Sequence, residues 1–480
     1  MQIVVGTDMA ATPLVDTPEP SPGFATRRVA PLYTARVPPL AGPVGRLSFF
    51  ATLLRNPLRI LPASVYEEGI VCAGRAGRTV CWITEPSLIK TVLLDKHDAF
   101  RRTPITQRIL GPLLGKGVLT ADGADWKWQR QTATPVFRHH DLLGFVPTMA
   151  EAAERLLAQW REDAPDAIRD VDRDMTLVTF DVISHTLLPG GDEHVGPLIG
   201  RANVDYQKPL GWQMAYANFG LPSWMPHPGK LKMYFARRRL RSAVAALVAE
   251  RRASAVVEDD LLQRLANAKS PETGAQMPDE LLIDNLLTFF LAGHETTAKA
   301  LTWTLYLLAR APDWENRILD EVRNVVGDGR IKPEHIDKLV ITTQVLKESM
   351  RLYPPAPIMS RQATADTELA DVPISAGTQI IIPIYAIQRH RRRWSNPDHF
   401  EPTRFAPENE AKIPRYYYMP FGAGPRICIG MAFSLIEGVA ILATLVRAAT
   451  FVTTCDHEPE AVSRVTLRPA GGMPLLVRMR

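Results

Sequence analysis

The sequence predicts a mainly helical protein with a smaller β region, built as one interwoven unit. Three observations lead there. Helix-period apolar patterns fill about 146–161, 230–253, 278–310, 312–327, 342–352 and 431–447. Strand-like segments come from opposite parts of the chain, 70–83 and 372–385, and could pair only across the whole fold. The 480 residues, 46% hydrophobic and 22% charged, supply ample material for a large core.

Taken in order, residues 1–45 carry several prolines and read as an extended N-terminal arm, ahead of a domain spanning 46–480. Residues 46–61 are amphipathic and read as a first helix, with contact to a membrane surface as the alternative. Ile70–Ala73 and Thr79–Ile83 form a hairpin near Gly74 and Gly77, and a helix-like run from Glu85-Pro86 reaches Leu94. Three prolines bar a regular helix over 219–229, a lid or a surface loop that carries Phe219 and Trp224. Pro278-Asp279-Glu280 opens the longest helix, with proline and acids where a helix N-terminus favours them. The second β region turns at Ala376-Gly377, and Phe451–Val477 reads as short strands.

The net charge of +5 and a pI near 9.0 give no sign of a nucleic-acid partner. The compact cluster Arg389, Arg391, Arg392 and Arg393 reads as a solvated face. Cys72, Cys81, Cys428 and Cys455 form neither a CxxC pair nor a zinc spacing, and support no disulfide scaffold, so a reduced cytoplasmic setting is expected. No run of eighteen apolar residues suggests a transmembrane anchor, and the N-terminus does not read as a secretory signal.

Chemistry concentrates in Phe421-Gly-Ala-Gly424-Pro-Arg426-Ile-Cys428-Ile-Gly430. Three glycines and a proline shape a tight loop, with a cation two residues before a lone thiol. Backbone N–H groups freed by such a loop can stabilise a thiolate, and a thiolate facing a flat space suits an axial ligand to haem iron. The plain alternative is a small buried hydrophobe. In the long helix stands Ala292-Gly293-His294-Glu295-Thr296-Thr297. Helical spacing puts Phe289, Ala292, Gly293, Thr296 and Ala300 on one face, where small residues let a flat group approach the backbone. The Thr296 hydroxyl can bond back to the Ala292 carbonyl and loosen the turn, and Glu295 beside it can feed protons inward. A locally satisfied core helix explains the same residues. His294 faces another direction and reads as a satisfied polar neighbour. Trp126 and Arg130 share a helix side and suit a carboxylate, while Glu348 and Arg351 sit three apart and can pair.

These motifs resemble those of the cytochrome P450 family, over about residues 68–477. The resemblance implies the P450 fold, a single haem domain and haem b (iron protoporphyrin IX). It implies that Cys428 is the metal ligand, Phe421 shields the sulfur, Gly424 belongs to the haem-binding loop, and Arg426 meets a propionate. Trp126, Arg130 and, on a weaker match, Arg361 are implied at the propionates, with Gly293 against the cofactor. Thr296 and Glu295 correspond to the catalytic hydroxyl beside dioxygen and the acid of the proton relay. Glu348, Arg351 and Arg404 are implied as a buried structural network.

The function so implied is a haem-thiolate monooxygenase that inserts one atom of O2 into an organic substrate, hydroxylation foremost. Peroxide-driven peroxygenase chemistry and a non-enzymatic haem-thiolate sensor are the alternatives. The chain leaves about fifty residues after Cys428 and shows no dinucleotide fingerprint. Electrons are therefore expected from NAD(P)H through an external reductase and a ferredoxin, with Lys127, Arg138 and the arginine cluster as candidate contacts. Phe289, Phe290, Ala292, residues near 100–119, Ile358, Met359 and the Gly471-Gly472-Met473 turn are expected to line an apolar pocket for a lipophilic substrate.

Overall fold

The computed structural model of the protein describes residues 3–5, 14–15, 31–40, 42, 44–75, 78–164, 166–187, 202, 205–206, 209–218, 220–253, 260–454 and 458–480. Cys455, Phe219 and Gly77 lie outside them. The long helix runs Asp279–Arg310, with Pro278 extended at its N-cap and both acids in its first turn. Its 32 residues span roughly 48 Å. It is apolar nearly all round because helices cover it nearly all round. Val171–Leu187, Lys230–Ala253, Val340–Leu352 and Met431–Ala448 pack on it, and Trp303 stacks on Tyr353 at 4.0 Å. At Gly438 a Cβ would clash with Leu346, so glycine sets how closely two of these helices approach.

Val171–Leu187 was not anticipated as a helix, and its composition explains why. β-Branched residues crowd it. Its threonines are satisfied by the helix itself, since Thr176, Thr179 and Thr186 donate to the carbonyls of Asp172, Met175 and Val182 at 2.7–2.9 Å. Burial against the long helix overrides propensity here.

The largest sheet joins both parts of the sequence, as expected. Its strand order is Ile3–Val5, Ile70–Arg75, Arg78–Ile83, Gln379–Ile382, Met359–Ala363, Phe100–Arg101. Val80 to Trp82 pair in parallel with Gln379 to Ile381. Val372–Ile374 does not pair with Gln379–Ile382 across the turn; it pairs with Thr367–Leu369. Described parts of the N-terminal arm lie on the domain. Val4 pairs opposite Cys72, and the Val37 N–H donates to the Tyr385 hydroxyl at 3.1 Å.

Two further expectations are corrected. Hairpin register places Cys72 opposite Cys81, 4.1 Å apart at Cα, and the two form a disulfide, a pairing that spacing alone did not reveal. The arginine cluster is not all solvated. Arg389 and Arg393 are buried and pair with Asp398 and Glu85, while Arg391 and Arg392 are exposed and pair with Glu67 and Glu68. One helix among the described residues, Met431–Ala448, is long and apolar enough to cross a membrane; 67% of it is buried inside the fold, as a core helix would be.

Glu348, Arg351 and Arg404 form the expected buried network. Arg351 grips Glu348 through Nε at 2.7 Å and Nη2 at 2.8 Å, and donates to the carbonyls of Gln388, Pro397 and His399. Arg404 Nε lies 3.7 Å from Glu348 and donates from Nη2 to Ser395 and Asn396. Gln388 extends the network by accepting from the Met419 N–H at 2.8 Å. The segment leading to the thiol loop is thereby fastened to the helix Val340–Leu352. Glu348→Gln leaves buried guanidinium charge without its counter-ion. The expected cost is about 3–5 kcal/mol, read from denaturant unfolding against wild type; a loss within error would remove the network's structural role.

Candidate active site

The loop before Met431–Ala448 is shaped by its own backbone. Gly422 and Gly424 hold φ of +74° and +73°, a region open chiefly to glycine. A Cβ on Gly424 would strike the Leu93 carbonyl, so this glycine serves a close backbone approach. The Cys428 N–H donates to the Phe421 carbonyl at 2.9 Å, which closes the loop on itself. The Cys428 side chain is exposed, but to an internal cavity rather than to the outer surface. Burial pushes its thiol up, opposed by the Gly430 backbone N–H and by Arg130.

That cavity measures about 510 Å³. Cys428, Phe421 and Gly430 form one wall, and Phe289, Ala292, Gly293 and Thr296 of the long helix form another. The Thr296 hydroxyl donates to the Ala292 carbonyl at 2.7 Å, as anticipated. Gly293 lines the cavity, while the direction of its missing Cβ is toward Ile183 at 3.3 Å. Ala300 is buried beyond the cavity. Phe290 turns away to meet Phe180 edge-on at 5.2 Å. His294 is buried on the same side, its Nδ1 2.7 Å from the Phe290 carbonyl, and burial lowers its pKa.

The remaining wall is largely apolar: Leu110, Leu113, Val118, Leu119, Ile358 and Met359, with Thr106. The Gly471-Gly472-Met473 turn is not part of it, because Gly472 abuts Asp170 and the Met473 N–H donates to that carboxylate. In its place the hairpin Ala461–Ser463, Leu467–Pro469 sends Val465 and Thr466 inward.

One end of the cavity is cationic. Arg102, Arg130, Arg361 and Arg426 all line it. Arg426 has partners: an ion pair with Asp122, the Ala121 carbonyl at 3.0 Å and the face of Trp126 at 4.2 Å. Trp126 thus supports Arg426 as a stacking surface. Arg102 and Arg361 have no ion pair among the described residues, and Arg102 Nε has no hydrogen-bond partner there. Burial, then the charge of Arg426, lowers Arg361 to about 10 and, with Arg361 itself added, lowers Arg102 to about 9. Guanidiniums crowded this way call for bound carboxylates, which the two propionates of haem would supply. Arg102 was missed in the sequence. No motif marked it: it stands one position past the short strand Phe100–Arg101.

Glu295 is fastened at the side of the cavity. It is buried, and burial alone would raise its pKa. Arg468 at 2.6 Å and the Thr466 hydroxyl at 2.6 Å outweigh burial and hold the carboxyl below its ordinary value. Glu295 is therefore an ionised, fastened carboxylate in this structure. Arg468 and Thr466 come from the hairpin some 170 positions on, which no local pattern announced.

The Cytochrome P450 family model matches residues 67–473. Among similar proteins, a cytokinin hydroxylase of Arabidopsis thaliana is 31% identical, over 82% of this chain and 78% of its own. Cyclooctat-9-en-7-ol 5-monooxygenase of Streptomyces melanosporofaciens is 29% identical, over 84% and 87%. The 11-oxo-beta-amyrin 30-oxidase of Glycyrrhiza uralensis is 30% identical, over 82% and 78%. A thiol loop facing a small-residue helix across a cavity, with a family match over that whole region, places this chain in the cytochrome P450 family, as a haem monooxygenase.

Proposed function

We propose that this chain hydroxylates a lipophilic substrate in the cavity between Cys428 and Thr296. The observation that carries the proposal is the single cavity that brings together the thiol, the back-bonded threonine, and Arg102 and Arg361, which have no ion pair among the described residues. When bound, haem supplies dioxygen activation, with thiolate ligation favouring O–O cleavage. Cys428 is the residue to hold the iron. Arg102, Arg130, Arg361 and Arg426 would hold the propionates, with Trp126 beneath Arg426.

The chain's own residues do the rest. The apolar wall excludes water and orients substrate by shape. Thr296 keeps its hydroxyl within reach of the cavity by bonding back to Ala292, so that it can hold a water or pass a proton there. Glu295 enters a relay by leaving Arg468. Relatives named for cyclooctat-9-en-7-ol and 11-oxo-beta-amyrin fit a lipophilic class.

Electrons would come from NAD(P)H through an external reductase and a ferredoxin. Exposed Lys127 and Arg138 remain suited to an acidic partner, whereas buried Arg389 and Arg393 are withdrawn from any such face.

The test is turnover under heavy-isotope dioxygen with a ferredoxin, its reductase and NADPH. One labelled atom per product is expected, and Thr296→Ala should divert reducing equivalents to peroxide. Label-free product, or equal turnover with peroxide alone, would favour the peroxygenase reading. Replacing Arg102 and Arg361 together by Gln should speed haem transfer to an apo-acceptor about tenfold or more, since each charged hydrogen bond contributes about 1.5–3 kcal/mol; an unchanged rate would remove them from the propionate site. In Arg468→Leu, Glu295 loses its counter-charge, burial raises its pKa, and protonation persists to higher pH. The alkaline limb of the product-yield profile should move to higher pH; an unmoved limb would detach Glu295 from the reaction.

A further inference from the structure

A second hollow lies behind the hairpin Ala461–Ser463, Leu467–Pro469. The hairpin closes the active-site cavity through Val465 and Thr466. Its Val462, Arg464 and Arg468 line a separate groove of about 660 Å³, whose other side is the helix Arg46–Arg55 with Asn56 and Arg59. No described residue lines both spaces. The groove is held in shape by the chain itself. Asn56, 1% exposed, donates to the Ala461 carbonyl at 2.9 Å and to Glu460 at 3.2 Å, and accepts from the Ser463 N–H at 3.2 Å. Arg464 donates to the Leu54 carbonyl on the opposite side.

Charge in the groove is one-sided. Arg55, Arg59, Arg464 and Arg468 line it, and Glu460 supplies the carboxylate among its described lining residues. Arg59 occupies that carboxylate, with Nε at 2.9 Å and Nη2 at 2.8 Å. Arg468 reaches inward to Glu295 at 2.6 Å. Arg55 and Arg464 have no ion pair among the described residues. Burial and then the charge of Arg468 lower the pKa of Arg464, so these two guanidiniums stand close enough to repel each other. Guanidiniums gathered in a walled groove with too little counter-charge suit an oxyanion, which accepts paired N–H bonds. The volume is that of a small-molecule site and exceeds what a bare ion fills.

We propose that this groove binds a small molecule through a carboxylate or phosphate group, held by Arg55 and Arg464 with Arg468 at its inner edge. Arg468 links the groove to the active site, because its partner Glu295 lines the cavity on the other side. An oxyanion that takes N–H groups of Arg468 competes with Glu295 for them. Binding in the groove therefore loosens Glu295, and loss of the Glu295 charge tightens binding in the groove. The anionic group belongs either to a free anion or to a lipophilic acid whose tail enters the cavity beside Val465, which is 41% exposed at the hairpin tip.

Isothermal titration of the haem-loaded full chain at low salt tests it, with inorganic phosphate and, separately, with dodecanoate and dodecanol. Saturable phosphate binding marks a free anion as the ligand. No phosphate binding, with dodecanoate preferred over dodecanol, marks a lipophilic acid. In either case replacing Arg55 and Arg464 together by Gln should weaken the anion about tenfold or more while dodecanol binds as in wild type. Arg55→Gln alone, at an exposed position, carries the same test if the pair fails to fold. Glu295→Gln should tighten the anion, and an unchanged affinity there overturns the link through Arg468. Absence of both phosphate binding and a preference for the acid, or wild-type affinity in the arginine variants, overturns the site. The titration needs no turnover, so its result stands apart from the monooxygenase reading, which the labelled-dioxygen experiment judges.

Discussion

The structure depends on holding one backbone loop opposite one helix. The Cys428 sulfur is useful only if it faces Thr296 across a slot of fixed depth. Several buried features act on that depth. Gly424 lets the loop approach the Leu93 carbonyl, and Gly438 lets the following helix approach Leu346. Glu348, Arg351 and Gln388 fasten the chain leading into the loop. A buried ion pair of this kind is a poor source of net stability and a strong penalty when broken. Its contribution here is to fix position.

Charge is distributed around the cavity with the same economy. At the cationic end Arg102 and Arg361 have no ion pair among the described residues, while Glu295 is held by Arg468. Burial acts on all of them. The sign of each outcome follows from the neighbour: Arg468 for Glu295, other guanidiniums for Arg102 and Arg361. The hairpin bearing Thr466 and Arg468 couples the cavity wall to the ionisation of Glu295.

Much of this was legible in the sequence because the chemistry needs contiguous residues. The loop from Phe421 to Gly430, the step at Glu295-Thr296 and the spacing of Glu348 and Arg351 each lie within ten positions. The boundaries of the long helix were marked by Pro278 and its acids. What stayed hidden depends on distant pairing. The restraint on Glu295 comes from a hairpin far along the chain. The Cys72–Cys81 bond needs the hairpin register. Arg389 and Arg393 look like surface charge until Asp398 and Glu85 are brought to them. Val171–Leu187 reads as strand-like composition until burial against the long helix decides otherwise.

The measurement that bears most directly on this account is the ferrous–CO absorption spectrum of the purified protein and of Cys428→Ser. The account predicts the red-shifted Soret band of a thiolate-ligated complex in wild type and its loss in the variant. A variant that keeps that band, or a wild type that never shows it, would contradict the assignment of Cys428 and with it the reading of the cavity.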